Sequence, residues 1–420
     1  MNTPFRHFAW HLTVAMLVFT SRSAHAENIQ SIKVTPQANV EYAEVVTTLI
    51  DSRELKGLTA VGIRPSGQQY QLMGQLVPRG KETELRFILE KGVAGESQIF
   101  DVILDKPTVA LPEIFTVKEG EEGVDIYYNK RGISLPLTRM MTDDPLKVFN
   151  HVFDARGGKP ITSGGEAGSV FPHHRGIFLG WSKTGFNGKT YDTWHMKDGV
   201  TQKFEKLVSQ NFGPMYADFT ANISWNTGDG QKILAEQRTI KGLHPTNKGY
   251  GMMEIDTVLT APNGDVVLDG DPEHAGCHFR ANNETAVVAK AVMDGKAPKF
   301  QATKYVFHKE GIDPTKDKDL PWVTMGFSVG EDRFFTQHMT HPDNPTGSVY
   351  SAYRDYGRFG SFFTHTIKKG ESLRLRYRFI FGIGAMPPAP FMQASYDAFA
   401  TPAKVELVES KPAEPAPAAK

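Results

Sequence analysis

The stretch LRLRYRFIFGIG, residues 373–384, decides the fold. Leu373, Leu375, Tyr377, Phe379 and Phe381 fall on one side of an extended chain, and Arg374, Arg376 and Arg378 on the other. Successive side chains of a strand point to opposite faces, so this period of two predicts a half-buried β-strand. Similar runs recur on either side: YAEVVTTLI (42–50), LRFILE (85–90), GVDIYYN (123–129), GIFLGW (176–181) and DFTANISW (218–225). Gly, Pro, Asn and Asp separate them, as turns between strands require. No long helical period and no internal repeat is visible. The chain reads as all-β.

Composition sets the boundaries. Residues 1–26 read as a Sec-type signal peptide: Arg6 and His7, an apolar run from Phe8 to Thr20, then Ala24-His25-Ala26 as a cleavage site. This predicts cleavage after Ala26 and a periplasmic or secreted protein with no later transmembrane segment. Residues 27–106 have the size of a small β-sandwich, and Pro107 and Pro112 suggest a linker. Residues 107–390 form the large domain, and 391–420 a C-terminal segment ending in a Pro/Ala-rich tail. Formal net charge is zero, with no basic stripe, so nucleic acid is a poor partner. The single cysteine, Cys277, cannot form an internal bridge and reads as a small buried hydrophobe. Beyond the signal, every histidine lies between His151 and His365 and every tryptophan between Trp181 and Trp322. Chemistry therefore belongs to the large domain.

Three polar clusters stand out there. In FPHHRGIFLGW (171–181), a strand would place His174 with Phe178, and His173 with Arg175, on opposite faces. Adjacent strand histidines diverge and cannot share a metal, unless that step lies in a loop. In GDPEHAGCHFRANNE (270–284), His274 and His278 suit a metal only on a helix. The alternation favours a strand, with His278, Arg280 and Asn282 on one face and Glu273 nearby. In residues 336–367, His338, His341, Arg354, Asp355, Tyr356 and His365 occupy a turn-rich setting. NGKTYDTWH adds Asn187, Trp194 and His195. Aromatic faces beside planar polar groups suit sugars. No P-loop, dinucleotide fingerprint, GxSxG elbow or CxxC is present.

PHHRGIFLGW with NGKTYDTWH, then DPEHAGCHFRA, then HPDNP with YRDYGRFGSFF and KKGESLRLRYRF, resemble the bacterial PmoA-like family over about residues 165–385. Cys277 departs from the bulkier apolar residue of that pattern. The family's label implies copper-dependent methane oxidation. The resemblance also implies a galactose-mutarotase-like large domain, an antiparallel β-supersandwich, and exported proteins of polysaccharide degradation. Such scaffolds host sugar epimerases, lyases and hydrolases.

The sequence thus predicts an exported carbohydrate-active protein, a lyase or glycoside hydrolase. His174, His338, Tyr356, Asp355 and Glu273 would be its acid–base groups, because a histidine near its ordinary pKa of about 6.5 exchanges protons at neutral pH. His173, Arg175, Asn187, Trp194, His195, His274, His278, Arg280, His341, Arg354 and His365 would contact a carbohydrate ligand. No cofactor is assigned, and a divalent metal with unassigned ligands stays open. The rival readings are a non-catalytic glycan-binding protein and a metal-dependent oxygenase.

Overall fold

The computed structural model describes residues 27–408 apart from 41–43, 52–54, 56, 69, 80, 105–113, 131, 155, 244–249 and 297–301. The expected signal peptide, the linker prolines Pro107 and Pro112, and the tail 409–420 lie outside the described residues. The fold is all-β, built from antiparallel sheets.

A seven-stranded sheet comes first, in the order Glu44–Asp51, Glu82–Leu89, Leu72–Arg79, Ala60–Pro65, Gln98–Leu104, Glu27–Thr35 and Lys404–Val408. Its core holds Ile32, Val34, Leu85, Phe87, Phe100 and Val102. The strand near the C-terminus closes back onto the one near the N-terminus, pairing Val405 with Val34.

Two eight-stranded sheets follow and pack face to face. One runs Val349–Tyr350, Arg358–Phe362, Ala275–Arg280, Ile177–Trp181, Phe149–Val152, Ile133–Met141, Gly123–Lys130, Phe115–Glu119. The other runs Thr201–Asn211, Tyr216–Asn226, Lys232–Leu243, Gly251–Thr260, Ser372–Ile383, Asp332–Thr340, Trp322–Val329, Thr303–Phe307. The Ser372–Ile383 strand follows the sequence pattern. Leu375, Tyr377, Phe379 and Phe381 enter the inter-sheet core. Arg374 pairs with Asp256, Arg376 with Asp343 and Arg378 with Glu254 on the opposite face.

Two helices break the β pattern among the described residues. Asn283–Met293 starts at Asn282, whose side chain accepts the Glu284 backbone N–H as an N-cap. Asn282 is thus a helix cap and not a third member of the His278–Arg280 strand face. Ala389–Ala400 lays Phe391, Met392 and Phe399 against Trp322, Phe335 and Ile380, outside the second sheet. That cluster also takes in Val77 of the seven-stranded sheet.

Candidate functional site

Direct cross-strand partners share a face. Ile177, Phe279 and Phe359 line up on the core side of the first eight-stranded sheet, with Leu179, Cys277 and Ser361 beside them. Phe178, His278 and Gly360 line up on the outer side, as do Arg280 and Arg358. This outer face is sealed by a crossing segment. At Gly180 a Cβ would sit 2.5 Å from the Thr193 carbonyl, so only glycine lets the backbone before Trp194 lie on the sheet. Trp194 then covers Phe178 and His278, at ring-centroid distances of 4.6 Å in both cases. The expected sugar-facing Trp194 is instead a buried floor.

Arg280 is 1% exposed, and its three guanidinium nitrogens have no hydrogen-bond partner among the described residues. Its guanidinium carbon lies 5.2 Å from the Trp194 ring centre. Burying an unpaired charge costs on the order of several kcal/mol. The neighbouring Arg358 is held differently: it donates to the Glu273 carbonyl and pairs with the Glu273 carboxylate at 2.9 Å. The other Glu273 oxygen accepts from Arg354 Nε at 2.9 Å. Burial alone would raise the Glu273 pKa, but the Arg354 hydrogen bond and the charges of Arg358 and Arg354 hold it below the usual range. Glu273 is an ionised clamp for two arginines.

Above this floor stand the rings. The strand begins at Ile177 rather than His173, so PHHR forms a turn closed by His174 N–H donating to the Phe171 carbonyl. In a turn the two imidazoles need not diverge, and His173 and His174 lie 4.6 Å apart, edge to face. Phe171 stacks on His174 at 4.7 Å and meets Tyr356 at 5.0 Å. His195 lies 5.0 Å from His173 and 5.2 Å from His274. Each of those two is oriented by a carboxylate: His195 Nδ1 meets Asp192 at 2.8 Å and His274 Nδ1 meets Asp271 at 3.0 Å. Arg354 and Tyr353 form an exposed rim.

The electrostatics depart from the sequence expectation of histidines near 6.5. Burial, then the charges of Arg280 and of its neighbour His173, push His174 well below its ordinary value. Burial, then His195 and Arg280, lower His173 to about 3. These rings are neutral at neutral pH, hence bases or hydrogen-bond partners rather than acids. Sequence reasoning missed Lys147, which is buried, donates to the Trp194 carbonyl and lies 4.0 Å from the Phe178 ring centre. Burial, then Arg175 and Arg280, lower it to about 7. It also missed Arg358, whose signal was the alternation of RFGSFF.

Several expected site residues are placed elsewhere. His338 lies wholly inside the sandwich, stacked at 4.4 Å on Phe379 and lowered to about 3 by burial. It is a core residue because its strand is buried on both faces. The Asp355 carboxylate accepts from Thr303 N–H and Oγ1, which staples its loop to the neighbouring strand. Arg175 ties the PHHR turn to Asp144 at 2.6 Å. Asn187, at φ 50° before Gly188, is the turn of the Lys183–Phe186 and Lys189–Tyr191 hairpin, where that conformation favours Asn-Gly. His341 accepts the Asp343 N–H within its own loop, and His365 pairs with Leu268 in the small four-stranded sheet. Among the described residues no group of three or more His, Cys, Asp or Glu side chains is arranged to hold a metal, and no helix is long and apolar enough to cross a membrane.

Residues 126–394 match the family of unknown function DUF6807, and the chain belongs to that family. This corrects the PmoA-like resemblance: the matching family is DUF6807, and copper-dependent methane oxidation falls with the earlier assignment. No curated protein matches the chain. Solved structures similar to it include a glycosyl hydrolase family 38 protein from Enterococcus faecalis (7% identity, TM-score 0.48, covering 90% of this chain and 47% of that one). An alpha-mannosidase from Enterococcus faecalis V583 is 10% identical at TM-score 0.36, covering 92% of this chain and 46% of the other. The galactosidase domain of the alpha-galactosidase–sucrose kinase AgaSK is 8% identical at TM-score 0.27, covering 66% and 42%. The chain spans less than half the length of each of these.

Proposed function

We propose that the protein binds a saccharide at the outer-face cluster and acts on it by acid–base chemistry of lyase or hydrolase type. The observation that carries this reading is the convergence of His174 and Tyr356 above the buried Arg280 and Arg358, ringed by His173, His195 and His274. Saccharide hydroxyls need planar donors and acceptors at fixed angles, and the Asp192–His195 and Asp271–His274 pairs supply oriented rings of that kind. Aromatic faces at Phe171, Tyr353 and Tyr356 suit sugar C–H groups. The likenesses to solved structures carry no part of this reading.

In this scheme His174 is the base, since its neutral form is the one favoured at neutral pH. The Tyr356 phenol, stacked at 6.3 Å from the His174 ring, is the partner acid. Glu273 positions Arg354 and Arg358 and transfers no proton itself. The exported location expected from residues 1–26 would place the substrate outside the cytoplasm. The test is a panel of poly- and oligosaccharides, scored for both binding and new products. One or more should bind and be converted. His174→Ala should keep binding within a few-fold while turnover falls about 100-fold or more. Binding without conversion would leave a glycan-binding protein, and failure of every saccharide to bind would overturn the reading.

A further inference from the structure

We infer that the saccharide carries a carboxylate, as in a uronic acid, and that Arg280 is the residue that reads it; this rests on the saccharide reading above and names its substrate class. Other arginines buried in the protein have a carboxylate. Arg86 has Glu84 and Asp218, Arg175 has Asp144, Arg238 has Glu236 and Arg358 has Glu273. Arg280 alone among the described buried arginines has none, and no nitrogen of its guanidinium is hydrogen bonded.

The carboxylates around it are already engaged. Glu273 serves Arg354 and Arg358, Asp144 serves Arg175, Asp192 serves His195 and Asp271 serves His274. Lys147 is a further buried amine on this side of the sheet, and burial with the charges of Arg175 and Arg280 lowers it to about 7, as crowding by positive charge would. A neutral sugar would leave this excess positive charge uncompensated, whereas one anionic group would balance Arg280. A guanidinium presents parallel N–H donors in a plane, which a planar carboxylate accepts as a pair. The Trp194 ring centre lies 5.2 Å from the guanidinium carbon.

Access runs between loop-borne groups. Phe171, His174 and Tyr356 ride on the 171–175 turn and the 351–357 loop, not on strands, and on this proposal the ligand enters beside them. The anion then meets the arginine while the rest of the sugar lies between the histidines. A sulfate ester offers the same charge in a tetrahedral frame and is the alternative source to test.

Calorimetric titration of the full protein with three matched probes decides the matter: uronate oligosaccharides, their carboxyl-reduced neutral counterparts, and neutral oligosaccharides bearing sulfate. Wild-type protein should hold the uronate about 100-fold tighter than the reduced form, because reduction leaves the buried guanidinium unpaired. Arg280→Met should erase that margin and leave the reduced form's affinity within about 3-fold. Arg280→Lys, which keeps the charge without the fork, should lose about 10-fold on the uronate and serves should the Met variant fail to fold. Equal binding of acid and reduced forms, or preference for sulfate, would overturn the carboxylate while the saccharide reading stands. No binding by any of the three probes would overturn the carboxylate, and the saccharide reading falls with it only if the wider saccharide panel above also fails to bind.

Discussion

Arg238 and Arg280 are both buried on strands of the two eight-stranded sheets, yet the protein treats them in opposite ways. Arg238 donates from Nε and one terminal nitrogen to the two oxygens of Glu236, and from the other to the Val148 carbonyl. Glu236 is completed by Trp225 Nε1 at 2.7 Å and Thr257 Oγ1 at 2.7 Å. Every group in that network has its partner. Arg280, on the outer face of the opposing sheet, has none among the described residues. A charge buried with its partners is architecture. A charge buried without them is the feature that the proposed carboxylate would answer.

That contrast can be broken at several points. The largest effect belongs to the satisfied network: Glu236→Ala strands Arg238 in the core and should cost about 3–5 kcal/mol in chemical denaturation. Next is His174→Ala, whose turnover loss of about 100-fold corresponds to roughly 2.7 kcal/mol of transition-state stabilisation with folding intact. His338 is a third point, because the sandwich core and the outer face make different claims on a histidine. Its pKa is about 3 in the fold and about 6.5 in the unfolded chain. Between those values only the unfolded chain holds the proton. The stability tied to its neutral form is thus complete above about pH 6.5 and is lost as pH falls toward the folded value. His338→Phe should flatten the stability–pH slope in that window by about 1.4 kcal/mol per pH unit and leave activity unchanged. A loss of turnover in His338→Phe would restore it as a site residue. The smallest effect is Asn187→Ala, which places alanine at φ 50° and should cost about 1 kcal/mol in thermal melts without touching ligand affinity.

The fold was legible because alternation is a local signal. Residues 373–381 sort apolar from arginine side chains with a period of two, and one face of that strand is indeed buried. The same signal fell silent in DRFFTQHMT, where both faces are covered and His338 looked like a loop residue. The cluster was partly legible: His173, His174, His195, His274, Arg280, Tyr356 and Glu273 come together from four separate stretches. Their facing was not, since it turns on whether the strand begins at His173 or Ile177. Lys147 gave no sign at all, because a lysine buried under Trp194 reads in sequence like any solvated one. The short helix Ala389–Ala400 hid for a related reason: its packed side chains are few and make too brief a pattern.

The most direct measurement is denaturation of Arg280→Met and Arg238→Met side by side, without ligand. Arg238→Met leaves Glu236 as an unpaired buried carboxylate and should be less stable than the parent by about 3 kcal/mol or more. Arg280→Met removes an uncompensated charge, fills its space with an apolar chain of similar length, and should be as stable as the parent or more so. Equal losses in the two variants would contradict the account, because Arg280 would then be architecture after all.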